Sequence, residues 1–158
     1  MLLKQQLMKL EKLIEELIHE DQLLNQQFKL LQTVPGIGKQ TAVNLIVYTH
    51  AFSTFKNWRK FACYCGIAPF PYQSGTTIKG KTRVNDLANK KLKSLLNLAA
   101  LSAKKYDIEM NNYFERKVGE GKNKMLVLNA IRCKVVSRAF AVIQRNSSFV
   151  DVNRFKAA

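Results

Sequence analysis

The chain has 158 residues, with 26 lysines and arginines against 11 aspartates and glutamates, for a formal net charge of +15. That length suits one globular domain with an added element, and 47% hydrophobic residues exclude a disordered polymer. No uninterrupted apolar run approaches the roughly 18 residues of a membrane span, so a soluble cytoplasmic protein with no membrane partner is expected.

The first 32 residues carry a seven-residue repeat. Leu3, Leu10, Leu17, Leu24 and Leu31 fall on one heptad position, and Leu7, Ile14, Asp21 and Phe28 on the position facing it. Neither glycine nor proline interrupts them, and a single helix through this segment would be about 45 Å long. Leucine in one seam position with mixed residues in the other suits a two-stranded coiled coil, so residues 1–32 are expected to link or dimerise the protein. Asp21 is costly in an apolar seam and should mark a register, a partner lysine or a break. An amphipathic helix folded back on its own domain would show the same spacing.

Charge separates at the same boundary. Residues 1–32 hold four lysines and five acids, a net charge of −1, while the remaining 126 residues hold 22 basic and 6 acidic side chains, a net charge of +16. A field of that strength repels itself and is offset by a polyanion, of which DNA or RNA is the first expectation.

Helix is expected to give way at Pro35, because the residue before proline avoids helical angles. Val34-Pro35-Gly36-Ile37-Gly38-Lys39 then reads as a glycine hairpin, and a second helix restarts at Lys39. This segment resembles the helix-hairpin-helix motif of DNA-binding proteins that do not read sequence. Gly36 and Gly38 allow a close backbone approach to phosphate, helix-start N–H groups favour an anion, and Lys39 and Thr41 add a charge and a hydroxyl. An ordinary tight turn would look the same.

A third helix is predicted over Phe52–Gly66, burying Phe55, Trp58, Phe61, Ala62 and Cys65. Residues 66–85 lack helical period and read as a loop or short hairpin. Further helices are predicted over 86–105 with Asp86 as N-cap, near 108–118, and over 122–145, with an irregular tail over 147–158. The fold class is therefore mainly α, a coiled-coil-like helix followed by a helical domain over 33–146 with an irregular central loop. Cys63, Cys65 and Cys133 make no disulfide framework and no zinc spacing; they read as small core hydrophobes.

The central loop gathers Tyr72, Ser74, Gly75, Thr76, Thr77, Lys79, Gly80, Lys81 and Arg83, and Lys90 and Lys91 follow. A serine among glycines and cations can approach a phosphate, but it is a weak nucleophile without a base or metal. On the residues alone, a phosphate-binding loop and a nucleophilic one both stand.

Five stretches, in order, resemble the C-terminal domain of an insertion-sequence transposase family that includes pilin-gene invertases and RNA-guided bridge recombinases. They are residues 34–38, 61–69, 74–80, 89–93 and 113–117, within about residues 30–145. The resemblance implies an enzyme with an N-terminal resolvase-like domain holding magnesium on an Asp-Glu-Asp-Asp set, a coiled-coil linker, and a C-terminal domain whose serine becomes joined to DNA. The matching serine is Ser74. The chain departs from the pattern at Ala88, where the family usually has glycine, and at Asp86, near which a basic residue is common.

Outside residues 1–32 the acids are Asp86, Asp107, Glu109, Glu115, Glu120 and Asp151, too scattered for a metal site. No cofactor is therefore expected in this chain itself. The resemblance then implies the serine-bearing, DNA-binding portion of a larger bacterial, nucleoid-associated recombinase, inactive in strand transfer by itself, self-associating through its first helix and open to a structured guide RNA as well as DNA. Gly36, Gly38, Lys39, Thr41, Gly75, Thr76, Lys79, Lys81, Arg83, Lys90 and Lys91 would hold nucleic acid. The alternative is a non-catalytic DNA-binding and dimerisation module in which Ser74 is only a loop residue.

Overall fold

The structure is a computed structural model that describes residues 2–70, 73–74, 78–79, 83–84 and 88–151. Seven helices occur among them: α1 (Leu2–Glu20), α2 (Gln22–Gln32), α3 (Lys39–Thr49), α4 (Trp58–Tyr64), α5 (Lys90–Tyr106), α6 (Ile108–Gly119) and α7 (Lys124–Arg145). Between α4 and α5 lie four two-residue strands, β1 (Pro69–Phe70), β2 (Gln73–Ser74), β3 (Ile78–Lys79) and β4 (Arg83–Val84).

Helix starts are written locally. Asp21, Asn57, Asn89, Asp107 and Asn123 each cap the helix that follows, their side-chain oxygens accepting a backbone N–H two or three residues on. Such caps satisfy donors that a helix's first turn leaves unpaired. The one continuous helix expected over residues 1–32 is thus corrected to two. Asp21 is extended, with φ −92° and ψ 119°, and its carboxylate accepts from Leu24 N–H at 2.9 Å. Its carboxylate completes a new helix start rather than remaining in a seam.

The third helix also starts later than its aromatic spacing suggested. His50, Ala51 and Phe52 all adopt positive φ, at 48°, 53° and 63°, and α4 begins only at Trp58. Thr49 Oγ1 accepts from Phe52 N–H at 2.9 Å, and Gln27 Nε2 donates to the Ala51 carbonyl at 3.0 Å. Phe52 meets Phe140 edge-on at 5.0 Å between ring centroids. The aromatics reach the core through a left-handed turn, which costs local strain that the packing offsets. Asp86, expected to cap α5, lies outside the described residues, and Asn89 is the cap.

α7 is the axis of the core. It packs against α2, α4, α5 and α6 and buries Val127, Leu128, Ile131, Val135, Val136, Ala139, Phe140 and Val142. α5 lies along it with Leu92, Leu96, Ala99, Ala100 and Ala103 buried, and Phe61 of α4 closes on Phe140 at 5.6 Å. α1 stands apart from this core: Ile18 is buried, while Leu3, Leu7, Leu10, Ile14 and Leu17 are exposed. Beyond α7, Asn146 ends the helix in a left-handed conformation, and residues 147–151 are irregular.

The central segment refines the loop expectation. β1 pairs with β4 antiparallel, Pro69 opposite Val84 and Phe70 opposite Arg83. β2 pairs with β3, Gln73 opposite Lys79 and Ser74 opposite Ile78. The two ladders are nested in sequence, β2·β3 within β1·β4, and the strands from Pro69 to Val84 are called the arm.

Candidate nucleic-acid interface

The connection between α2 and α3 uses its two glycines differently. Gly36, at φ +92°, lies against α5: a Cβ there would stand 2.3 Å from the Ala99 carbonyl oxygen and 2.9 Å from Ala103 Cβ. Only glycine fits that approach. Gly38 has nothing within 4 Å of such a Cβ. It is the N-cap of α3 and provides no side-chain cap, so the first N–H groups of α3 lack the Asx partner found at five other helix starts. Lys39 is exposed there, and its ammonium sits 2.9 and 3.0 Å from the two Glu15 carboxylate oxygens of α1. Gln40 donates to Glu11 at 2.7 Å. Thr41 is buried, away from the exposed rim formed by Gly38 and Lys39.

Lys90 and Lys91 are exposed on the first turn of α5. Ala99, which receives Gly36, lies nine residues further along the same helix, about 14 Å at 1.5 Å per residue. α5 therefore connects the hairpin to the basic helix start. Ser74, Lys79 and Arg83 belong to the strands of the arm, Ser74 on the inner ladder and Arg83 on the outer one. Gly75, Thr76 and Lys81 lie outside the described residues.

The foot of the arm is fastened to α7. The Ile67 carbonyl accepts from Asn129 Nδ2 at 2.7 Å and lies 3.6 Å from the Cys133 Sγ donor. Around this junction runs a groove of about 820 Å³, lined by Pro69 and Val84 of the outer ladder, Lys93 of α5, and Met125, Asn129 and Arg132 of α7 among others. A recess of about 540 Å³ adjoins it, lined by Lys90, Lys93, Ser94, Asn97, Leu98 and Arg132. Arg132 borders both. It is only 7% exposed, and its guanidinium donates to Asn129 Oδ1 at 3.2 Å and to Asn97 Oδ1. Its Nε is buried without a partner. Burial pulls the Arg132 pKa below its ordinary value, with Cys133 opposing the shift; arginine nevertheless stays charged near neutrality.

Sequence reading passed over Arg132, although helical phase could have found it. Leu128, Arg132 and Val136 are spaced by four, and the two hydrophobic members are buried. An arginine in phase with a core stripe signals a buried cation.

The carboxylates serve other purposes. Asp107 and Glu109 both receive the Arg138 guanidinium, at 2.5 and 2.6 Å. Glu115 pairs with Lys104 and Glu120 with Lys117. Among the described residues no three His, Cys, Asp or Glu side chains are grouped to hold a metal. Cys65 is fully buried, and burial raises its thiol pKa to about 12, with Cys133 adding to the shift. No helix among the described residues is long and apolar enough to cross a membrane.

Residues 28–115 match the family described as the IS116/IS110/IS902 transposases. The chain is 34% identical over 128 residues to the pilin gene-inverting proteins of Moraxella lacunata and Moraxella bovis, an overlap of 80% of this chain and 39% of each relative. It is 29% identical over 122 residues to an uncharacterised 43.6 kDa protein of insertion element IS110 from Streptomyces coelicolor, covering 77% of this chain and 30% of that one. The chain thus spans well under half the length of these relatives.

Proposed function

The chain belongs to the IS116/IS110/IS902 transposase family, and we propose on that footing that it is the DNA-binding, serine-bearing portion of a DNA recombinase. The observation that carries this reading is the placement of the Ser74 arm. Pro69 and Val84 at its foot share a groove with Lys93 and Arg132, and Lys90 lines the adjoining recess; these cations have no carboxylate partner among the described residues. The charge excess outside residues 1–32 gives the same surface a long-range attraction for a polyanion.

In this reading Ser74 is the nucleophile. Its Oγ forms a bond to phosphorus as one sugar oxygen leaves, and that oxygen takes up a proton for the one the hydroxyl releases. The phosphodiester is exchanged rather than hydrolysed, so the strand can be rejoined. Lys79, Lys81, Arg83, Lys90 and Lys91 hold backbone phosphates nearby, with Gly75 and Thr76 in the loop beside the serine. The α2–α3 connection acts as a helix-hairpin-helix, with Gly38, Lys39 and the open start of α3 contacting a second backbone segment. Gly36 supports that contact from within by seating the hairpin on α5, and Thr41 from the buried side of the helix.

Magnesium is held by a resolvase-like domain of the complete enzyme, so this chain alone binds DNA without transferring strands. The exposed heptad face of α1 pairs with a second copy. A structured guide RNA is a further polyanion for the same basic surface, and the working compartment is the bacterial cytoplasm, at the nucleoid.

The test is Ser74→Ala in the complete enzyme. Loss of the covalent protein–DNA adduct with DNA affinity unchanged is the expected result; undiminished recombination would leave only the DNA-binding and dimerisation module. For the chain alone, log K for duplex DNA should fall with log salt by about 0.9 per phosphate neutralised.

A further inference from the structure

We infer that Arg132, with Asn97 and Lys93, forms a subsite for one backbone phosphate of a DNA strand at the foot of the Ser74 arm. The inference deepens the DNA-binding reading and rests on it for the source of the phosphate.

The starting point is an imbalance of charge. Two charged side chains are buried among the described residues, Asp107 and Arg132. Asp107 receives Arg138. Arg132 receives no carboxylate, and its partners are two neutral amides. An amide oxygen satisfies a hydrogen-bond donor but does not neutralise a cation, and a buried charge without a counter-charge is strongly unfavourable. The guanidinium Nε is buried and has no hydrogen-bond partner at all.

The amides also show that the fork is held in place. Asn129 spends its NH2 on the Ile67 carbonyl and leaves its oxygen for Arg132. Asn97 approaches from α5. Both sit on packed helices, so the guanidinium is pre-positioned, and it borders the groove and the recess rather than a sealed void.

A planar guanidinium that borders two openings and keeps N–H donors beyond those given to Asn129 and Asn97 matches the oxygen geometry of a phosphate. Lys93 lines both openings and Lys90 one of them, adding point charges on the solvent side. The apolar share of the groove, from Pro69, Val84, Met125 and Leu126, lies where sugar and base carbons would follow the phosphate. A merely structural arginine, tying α5 to α7, predicts the opposite energetics: its removal would loosen the two helices.

The experiment compares the wild-type chain with Arg132→Met and Lys93→Gln. Thermal unfolding is measured in inorganic phosphate and in chloride at equal ionic strength, and binding to a short DNA duplex and to RNA of the same sequence is measured across salt. Phosphate should raise the wild-type Tm, raise that of Lys93→Gln less, and leave that of Arg132→Met unmoved. In chloride, Arg132→Met should melt no lower than wild type, since it removes an uncompensated charge. Its DNA affinity should fall about tenfold and its salt slope by about 0.9.

Equal phosphate shifts in all three proteins would overturn the subsite. If Arg132→Met does not fold, Lys93→Gln decides alone: a half-buried lysine at the rim whose loss changes neither the phosphate shift nor the salt slope refutes it. An affinity loss confined to RNA would overturn DNA as the source. A phosphate shift in a wild-type chain that binds no DNA would instead refute the proposed function and leave a phosphate subsite standing.

Discussion

The Lys39 ammonium of α3 lies within 3.0 Å of both carboxylate oxygens of Glu15 on α1. The N-terminal helix thereby places an anion over the exposed end of the hairpin, where the proposed function needs a phosphate. Both side chains are partly solvated, 63% and 34% exposed, so the pair is worth about 1 kcal/mol or less and salt weakens it. Under the proposed function a DNA phosphate would displace it.

Glu15→Gln should therefore raise affinity for duplex DNA about two- to fivefold at low ionic strength, a gain that closes as salt is added. Fluorescence anisotropy at two salt concentrations reads this directly. An unchanged low-salt affinity would mean that Lys39 is not in the interface.

The two hairpin glycines separate fold from contact. Gly36→Ala forces a side chain to positive φ and onto the α5 backbone, and should cost about 3 kcal/mol or more in denaturant unfolding. Gly38→Ala meets open space at φ −90° and should cost within about 1 kcal/mol. If Gly38 lets the backbone approach DNA, that same variant weakens binding while remaining folded. Equal destabilisation by both substitutions would contradict the packing described for Gly36.

The exposed heptad face of α1 predicts concentration-dependent self-association. Leu10→Glu with Leu17→Glu alters residues 58% and 64% exposed, so the Tm of the domain should barely move. In a two-fold seam the pair removes four leucines, about 6 kcal/mol of association or roughly 10⁴ in Kd. Sedimentation velocity should show the variant monomeric at concentrations where the wild type associates; a monomeric wild type would end the pairing proposal.

Cys65 makes stability depend on alkaline pH. Its thiol pKa is raised from 9.0 to about 12 by burial. Above pH 9.0 the unfolded chain has released this proton and the folded one has not, so folding stability falls as pH rises towards 12, by up to about 1.4 kcal/mol per pH unit from this group. Below pH 9.0 the contribution is constant. Stability curves of wild type and Cys65→Ala should run parallel up to that point and converge above it. Parallel curves throughout would show that the thiol ionises freely.

Much of this architecture could be read from spacing. The heptads located α1 and α2, and the options offered for Asp21 included the break that occurs. The apolar periods located α5, α6 and α7 to within a few residues. What spacing did not reveal depends on partners distant in sequence. Phe52 and Phe55 have helical spacing, but Gln27 and Phe140 hold this stretch in a left-handed turn. The pairing of β1 with β4 joins residues on either side of a segment that has no period of its own. Gly36 suggested an approach to phosphate; the approach made is to α5, and that helix could not be placed against the hairpin without the fold. The burial of Arg132 was legible in its phase with Leu128 and Val136, but its partner Asn97 on α5 was not.

Gly36 against Ala99 and Ala103 brings backbone directly onto backbone, with no side chain between to flex or change rotamer. The exposed turn at Gly38 and the lysines at the start of α5 are thus attached to opposite stretches of one rigid rod. Their separation is set by helical rise, and it cannot adjust to the ligand. Under the proposed function the two sites would act as a gauge, favouring a nucleic acid whose backbone segments already stand at that spacing.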